Sequence, residues 1–570
     1  MIRSPNNESR RNAPLGAFRR FVVPGALFAA VVAAFARTLG AGAIWDDVYL
    51  TVRNPNLATW VGVRRLVSTD IWSSSALGER SGYYRPVASL TFALNRLVAG
   101  NSAAAYHAGN VLMHALVVVL LLRFVLVRRI ATLPRALACV FVFATMPLVA
   151  EPVSWIAGRY DVLGALFALL AFEANARAAR AWTTPIAFAL AVLTKEPYAA
   201  LPALVFLDDA LVFRRSALRE WPKYGALVAV LACTFALRAW TRVPEPTRLL
   251  AQGGVGELAR AYAFAWETFG ALAVWPSDLC FFHTYEPPSG FATVVTLAIV
   301  TAAVASAFAW WRRAPWTTAR GGVLLGVAWC VLAMAPGALT APTLRIIGDR
   351  YAYFSLAGGA VALAGVTESV LRGSARVLAP FVLGVLGVAQ TVRLESRLGE
   401  LQSEDTMFRA TLARDPDNFT TLSLYGTLLA QRGEYARAED MLLHARRVAP
   451  MTGDIDAALS FVHLHERRFA EAEADGRRAV AGKPENPRAW LNLASALVDE
   501  GKAAPAAVAA TRALAVRPRF AEAHYVRALA RVQLGRVDDA HDDLVAALAI
   551  DPSHAAARAM LARFRVRSGP

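Results

Sequence analysis

Cysteine is nearly absent from this 570-residue chain. Its four copies, Cys139, Cys233, Cys280 and Cys330, are scattered with neither paired nor metal-ligand spacing, which excludes a disulfide scaffold. Histidine does not fill the gap: His107 and His114 fall on nearly one helical face, but no third ligand accompanies them, so no metal site is expected. Acidic residues are also short, 43 against 60 Lys and Arg, which leaves a formal net charge of +17. In a soluble protein that excess would point to nucleic acid. Here the arginines cluster between apolar runs, as topology signals do, and nucleic acid is discounted as a partner.

Apolar sequence is what the chain has in abundance. Hydrophobic residues make up 56% of it and mean hydropathy is +0.39, more than a soluble protein of this length carries. The expected class is all-α, a polytopic helical membrane domain followed by a repeat solenoid. The opening "MIRSPNNESRRNAPLGAFRR", with an apolar run from Phe21 and "AGA" at 41–43, has the outline of a cleavable signal. Because further spans follow, an uncleaved anchor is expected instead.

Apolar runs stop near residue 392. Pro416, Pro450, Pro484, Pro518 and Pro552 then recur every 34 residues, the tetratricopeptide period of a helix-turn-helix unit that buries its core only by stacking. Ala438, Ala472, Ala506 and Ala540 share one register and Ala445, Ala479, Ala513 and Ala547 another. Gly433, Gly501 and Gly535 fall at the turn inside the repeat, with Arg467 the one departure. The expected domains are a basic cytoplasmic N-terminus (1–20), a membrane domain (21–395), a linker (396–418) and a solenoid of four repeats plus a capping helix (419–570).

A span needs roughly 20 apolar residues to cross ~30 Å of hydrocarbon. About eleven are expected, near 21–40, 106–127, 135–150, 161–176, 183–195, 197–213, 224–240, 291–311, 321–341, 353–371 and 377–393. With the N-terminus inside, every basic cluster falls on the cytoplasmic side: the N-terminus itself, Arg123 to Arg135, Arg177 and Arg180, Arg214 to Lys223, Arg312 to Arg320, and Arg372 with Arg376. Segments 85–97 and 258–275 then read as outer interfacial helices. The repeats also lie outside, which in a bacterial inner membrane is the periplasmic side.

That map gathers four charged motifs on one side: Asp46-Asp47 in "IWDDVYLTVRNPNLATW", "EPVSWIAGRYD" (151–161), "TKEP" (194–197) and "GDRYAY" (348–353). An ionisable group at bilayer depth costs about 2.5–3.5 kcal/mol, so such groups pair with each other or line a cavity. Asp46 or Asp47 suits a general base. Arg159, Lys195 and Arg350 suit a phosphodiester leaving group, which needs cations as its charge grows. Glu151, Asp161, Glu196, Asp349 and Tyr351 are the supporting set. Plainer readings stand beside these: a solvated acidic pair, a helix-entry Glu151, mutual neutralisation of Arg159 with Asp161, a local Lys195–Glu196 ion pair, and an interfacial belt around Asp349-Arg350 with Tyr351 and Tyr353.

The stretches "WDDVYLTVRNPNL", "YYRPVASLTFALNRLVAGNSAAAYHAGNVLMHAL", "MPLVAEPVSWIAGRYDVLGALF", "LTKEPYAALPALVFLDD" and "GDRYAYFSLAG", followed by the repeats, resemble the C-type polyprenyl-phosphate-dependent glycosyltransferases. More narrowly the chain is similar to the transmembrane and tetratricopeptide-repeat O-mannosyltransferases and their bacterial relatives. The resemblance implies a catalytic acidic residue in the first outer loop, here Asp46 or Asp47 with a lean to Asp46, and an inverting transfer of a sugar, mannose being one candidate. The donor would be a polyprenyl-phosphate sugar in the membrane, and the acceptor a protein hydroxyl recruited by the repeats. Two other functions compete: an O-antigen-type oligosaccharide ligase and a non-catalytic membrane-anchored scaffold. Tyr160 in "AGRYD" departs from the family pattern.

Overall fold

The computed structural model describes the chain apart from residues 1–20, 77–80, 178–181, 242–247, 314, 451–452 and 568–570. The expected basic N-terminus therefore lies outside the described residues. The chain divides into two compact units, 1–410 and 411–570.

The first unit is built from helices α1 (Val23–Ala34), α2 (Trp60–Ser68), α3 (Pro86–Ala99), α4 (Ala103–Val127), α5 (Leu133–Thr145), α6 (Ala150–Ser154), α7 (Arg159–Ala176), α8 (Thr183–Val192) and α9 (Leu201–Leu207). It continues with α10 (Ala217–Trp240), α11 (Arg248–Val274), α12 (Gly290–Arg313), α13 (Thr318–Ala338), α14 (Ala341–Leu344), α15 (Tyr353–Ser369), α16 (Gly373–Glu400) and α17 (Glu404–Arg414). A helix lies in each of the eleven expected spans, but only five of the described helices, α4, α10, α12, α13 and α16, are long and apolar enough to cross a membrane. Leu133–Thr145 and Pro147–Ser154, bent by 55° at their break, make a sixth if the pair counts as one span. The shortfall has a physical cause: prolines such as Pro147, Pro197 and Pro202 break the apolar runs, and α7 carries Arg159, Asp161 and Glu173. Irregular backbone at membrane depth persists where protein covers it.

Two contacts set the frame around the charged motifs. Helices α13 and α15 meet through small residues: a Cβ on Gly365 would stand 2.6 Å from the Ala319 carbonyl, so glycine is what permits the approach. Strand β1 (His283–Thr284) pairs antiparallel with β2 (Ile346–Ile347), which ties the loop after α11 to the "GDRYAY" segment. The stretch 396–418, expected as a linker, is largely helical in α16 and α17. Its apolar residues Leu398, Leu401, Met407 and Phe408 are buried, which a free linker would not allow.

The second unit stacks four helical hairpins and a last helix: α18 (Phe419–Gln431) with α19 (Tyr435–Val448), α20 (Gly453–His465) with α21 (Phe469–Gly482), α22 (Pro487–Asp499) with α23 (Ala503–Val516), α24 (Ala521–Gln533) with α25 (Val537–Ile550), and α26 (Ala555–Arg567). All eight register alanines are fully buried. The turn glycines Gly433, Gly501 and Gly535 have φ of 80°, 74° and 75°, and Arg467 takes the same left-handed posture at 61°. The repeat geometry therefore imposes this backbone even where the residue pays for its Cβ. A groove of 390 Å³ in this unit is lined by Phe461, Leu491, Asn492, Arg488, Phe520 and Glu522 among others.

Candidate active site

The two aspartates of the first outer loop have different jobs. Asp47 is fully buried, and its carboxylate accepts from the backbone N–H of Ala157 (2.8 Å), Ile156 (3.3 Å) and Ile44 (3.2 Å). Residues 156 and 157 stand in the turn that opens α7, where amides lack helical partners. Asp47 is thus a strut that pins the first loop to the α6–α7 turn. Asp46 accepts no hydrogen bond from any described residue and is acted on by the Arg350 and Arg85 guanidiniums. Burial pushes its carboxyl up to about 7, although both cations pull the other way.

Arg350 and Arg85 act on this open carboxylate, and Lys195 shares the Tyr351 ring with Arg350; each of the three cations is held by an acid from another element. Arg350 donates from its side chain to Glu151 Oε1 and from its backbone N–H to Oε2 at 3.2 Å. Its guanidinium lies 4.8 Å from the Trp155 ring centre. Gly348 makes room, since a Cβ there would collide with that guanidinium. Lys195 Nζ donates to Asp161 Oδ1 at 2.5 Å. Arg85 forks onto Glu196 Oε2 at 2.8 and 3.1 Å, between the Tyr83 and Tyr160 rings at 4.7 and 4.9 Å. Tyr351 lies among them, with Lys195 4.9 Å and Arg350 5.1 Å from its ring centre. Burial opposes its ionisation, yet Arg350 and Lys195 hold its phenol below the usual value.

Among the described residues neither neighbour ion pair of the plainer readings forms: Arg159 and Asp161 do not neutralise each other, and Lys195 turns from Glu196 to Asp161. Asp349 is engaged by His283 Nε2 (2.8 Å) and Arg397 Nη2 (3.1 Å). Side chains one or two apart do not face each other on a helical backbone, so each ion finds its partner across elements. Arg159, expected to bind the donor, is fully buried and spent on the protein: Nε donates to Asn110 Oδ1 (2.8 Å), Nη2 to the Tyr106 carbonyl (2.8 Å), and Nη1 to the Thr91 carbonyl (3.3 Å) and Asn95. Its role is to fasten α7 to α3 and α4. Arg85 is the cation that sequence reasoning missed. Its signal was its place in "YYRPVASL", one residue before the proline that starts α3.

Among the described residues, no three His, Cys, Asp or Glu gather as a metal site would. His114 Nδ1 lies 2.8 Å from the Tyr353 hydroxyl, and His107 Nε2 lies 3.3 Å from the Gly42 carbonyl, so both are held by packing partners. The backbone entering the acidic pair is strained: Trp45 has φ of 50°, a left-handed posture that a bulky residue rarely holds. Such strain costs about 1–3 kcal/mol and persists only where surrounding contacts enforce it.

Fold and site define a polytopic α-helical membrane protein that carries a repeat solenoid and a buried, charge-paired polar site. No protein-family model matches the chain. By sequence its homologues are protein O-mannosyl-transferases. The chain is 31% identical over 140 residues to protein O-mannosyl-transferase TMTC1 of Homo sapiens, covering 24% of this chain and 16% of that protein. It is 32% identical over 143 residues to TMTC3 of Mus musculus, covering 25% and 15%. A longer match to TMTC4 of Homo sapiens is 26% identical over 483 residues, covering 71% of this chain and 64% of the relative. The matched region thus spans about a sixth of the first two relatives and just under two thirds of the third. Among solved structures, the tetratricopeptide protein YrrB is similar over 32% of this chain and 90% of its own, at 21% identity and a TM-score of 0.25.

Proposed function

We propose that this chain is a membrane glycosyltransferase that moves a sugar, mannose being the leading candidate, from a polyprenyl-phosphate carrier to a protein hydroxyl. The observation that carries this reading is the open Asp46 carboxylate beside cations already neutralised by their own acids. Asp46 takes the acceptor proton as the acceptor oxygen bonds to the sugar's anomeric carbon from the face opposite the phosphate. The bond from that carbon to the phosphate oxygen breaks, and the departing lipid phosphate takes up the electron pair with inversion. Arg350 and Lys195, with Arg85, stabilise the growing phosphate charge in a water-poor site. Holding those cations in ion pairs beforehand removes reorganisation from the reactive moment.

In this reading the chain crosses a bacterial inner membrane about eleven times, with site and repeats on the periplasmic side. Its repeat groove, with Phe461 and Phe520 between amide and charged side chains, suits an extended acceptor segment. Membranes holding the wild-type chain, given polyprenyl-phosphate mannose and a pool of Ser/Thr-containing peptides, should yield peptides heavier by one hexose in mass spectrometry. No mass gain with any polyprenyl-linked sugar would overturn the reading, and a ladder of masses would mark a ligase instead.

A further inference from the structure

Asp46 is aimed by its backbone alone, since its side chain accepts no hydrogen bond among the described residues. The residue before it, Trp45, holds a left-handed φ of 50°. Its indole is fixed by stacking on Trp155 at 5.6 Å and by the edges of Phe281 and Phe282 at 5.8 and 4.9 Å. The Trp45 backbone N–H donates to Glu404 Oε1 at 3.0 Å, across 359 residues of chain. The same segment grips the loop at two more points: the Gly42 N–H donates to the Gln402 carbonyl at 3.0 Å, and Arg37 pairs with Glu395 at 2.8 Å. Of these contacts, only that of Glu404 acts on the strained residue's own backbone.

We propose that Glu404 is a positioning residue: its carboxylate holds the Trp45 amide in the left-handed posture and so turns Asp46 toward Arg350 and Arg85 rather than toward solvent. This deepens the transferase reading, in which Asp46 is the base, and adds a part that lies outside all four charged motifs. Glu404 opens α17 (Glu404–Arg414). Without an acceptor at Glu404, the Trp45 amide is left unsatisfied and φ relaxes to the extended region that aromatic residues prefer. Asp46 then leaves its neighbours Asp47, Tyr160, Arg85 and Arg350.

The test reads Asp46 directly. Carbodiimide modifies protonated carboxyls, so peptide mass spectrometry of the full chain labelled across pH reports the Asp46 midpoint without reference to transfer. Wild type should show a midpoint near 7. Glu404→Ala should lower it by one pH unit or more and cut kcat about tenfold with KM little changed. Glu404→Gln, which keeps an acceptor oxygen, should restore both. Glu404→Asp, with a shorter reach, should shift part-way and serves if the alanine variant does not fold. An unshifted Asp46 midpoint in folded Glu404→Ala, or in Glu404→Asp where the alanine variant does not fold, overturns the proposal. A shifted midpoint in a protein whose wild type transfers no sugar leaves the positioning role standing and removes the transferase reading.

Discussion

Two clusters of buried charge stand at opposite ends of α7, a helix of 18 residues and so about 27 Å long. They are built on different rules. At the far end, Arg128 forks onto Asp208 with two contacts of 2.7 Å, both side chains fully buried. Asn175 joins Asp208 (3.2 Å) to Asp209 (3.1 Å), and Asp209 is further held by Arg215 (3.0 Å), Lys223 and the Tyr224 hydroxyl (2.9 Å). Both aspartates there are fully engaged. At the near end the pairs Arg350–Glu151, Lys195–Asp161 and Arg85–Glu196 are as well made, but Asp46 accepts no hydrogen bond from any described residue. A network with every acid satisfied is a fastening. One that keeps a single carboxylate open among cations is equipped for proton transfer.

That contrast is sharpest at Asp46. Asp46→Asn should lower transfer by about 10²–10⁴-fold, the range of a lost general base, while expression and thermal unfolding stay near wild type. A comparable loss of transfer in Arg128→Ala, measured per folded molecule, would erase the distinction between the two ends.

Arg128→Ala should instead destabilise, by about 3–5 kcal/mol, because it strands Asp208 as a buried unpaired charge. Arg350→Ala strands Glu151 in the same way, so it should lower both the unfolding midpoint and transfer. Thermal unfolding in detergent, set beside turnover, separates the two outcomes. Asp47→Ala belongs with the fastenings: three backbone amides lose their acceptor at about 1–3 kcal/mol for each one left buried, so stability should fall with activity.

The pH response should carry opposite signs in the two readouts. Asp46 acts as a base only when ionised, so transfer should climb as pH passes about 7. Its folded carboxyl holds a proton more tightly than the ordinary value of 3.8 allows. Its share of stability is therefore complete below that value and is lost as pH rises through about 7. Asp46→Asn should flatten both slopes. A transfer optimum that stays put in another folded, partly active site variant but also in Asp46→Glu would assign the base elsewhere.

The smallest effect belongs to the repeats. Arg467→Gly removes the Cβ from a left-handed turn and should stabilise the second unit by about 1 kcal/mol, visible as a raised denaturation midpoint. A lowered midpoint would mean that the arginine side chain contributes more than its backbone costs.

Much of this architecture was legible in the chain. The 34-residue period marked the hairpins to within a residue or two, because small side chains at a fixed spacing are what stacked helices require. The apolar runs located a helix in each expected span. Only five of the described helices are long and apolar enough by themselves, since proline-broken and charged helices shielded by neighbours do not look like isolated spans. The charged motifs were visible as motifs, but their partnerships were not: Arg159 reads like Arg350 until Asn110 and Asn95 are seen around it. Arg85 lay in "YYRPVASL", outside the four charged motifs, and Glu404 carried no motif of its own.

By itself, then, the sequence determined the helices, the repeats, the membrane character and most of the ionisable groups gathered near one site. Periodicity and hydropathy are local properties, and they survive without knowledge of the fold. Tertiary structure alone decided that Asp47 is a strut and Asp46 an open carboxylate. Each buried ion must be neutralised by whatever acid or base the packing brings within about 3 Å, and a helical backbone turns adjacent side chains away from each other.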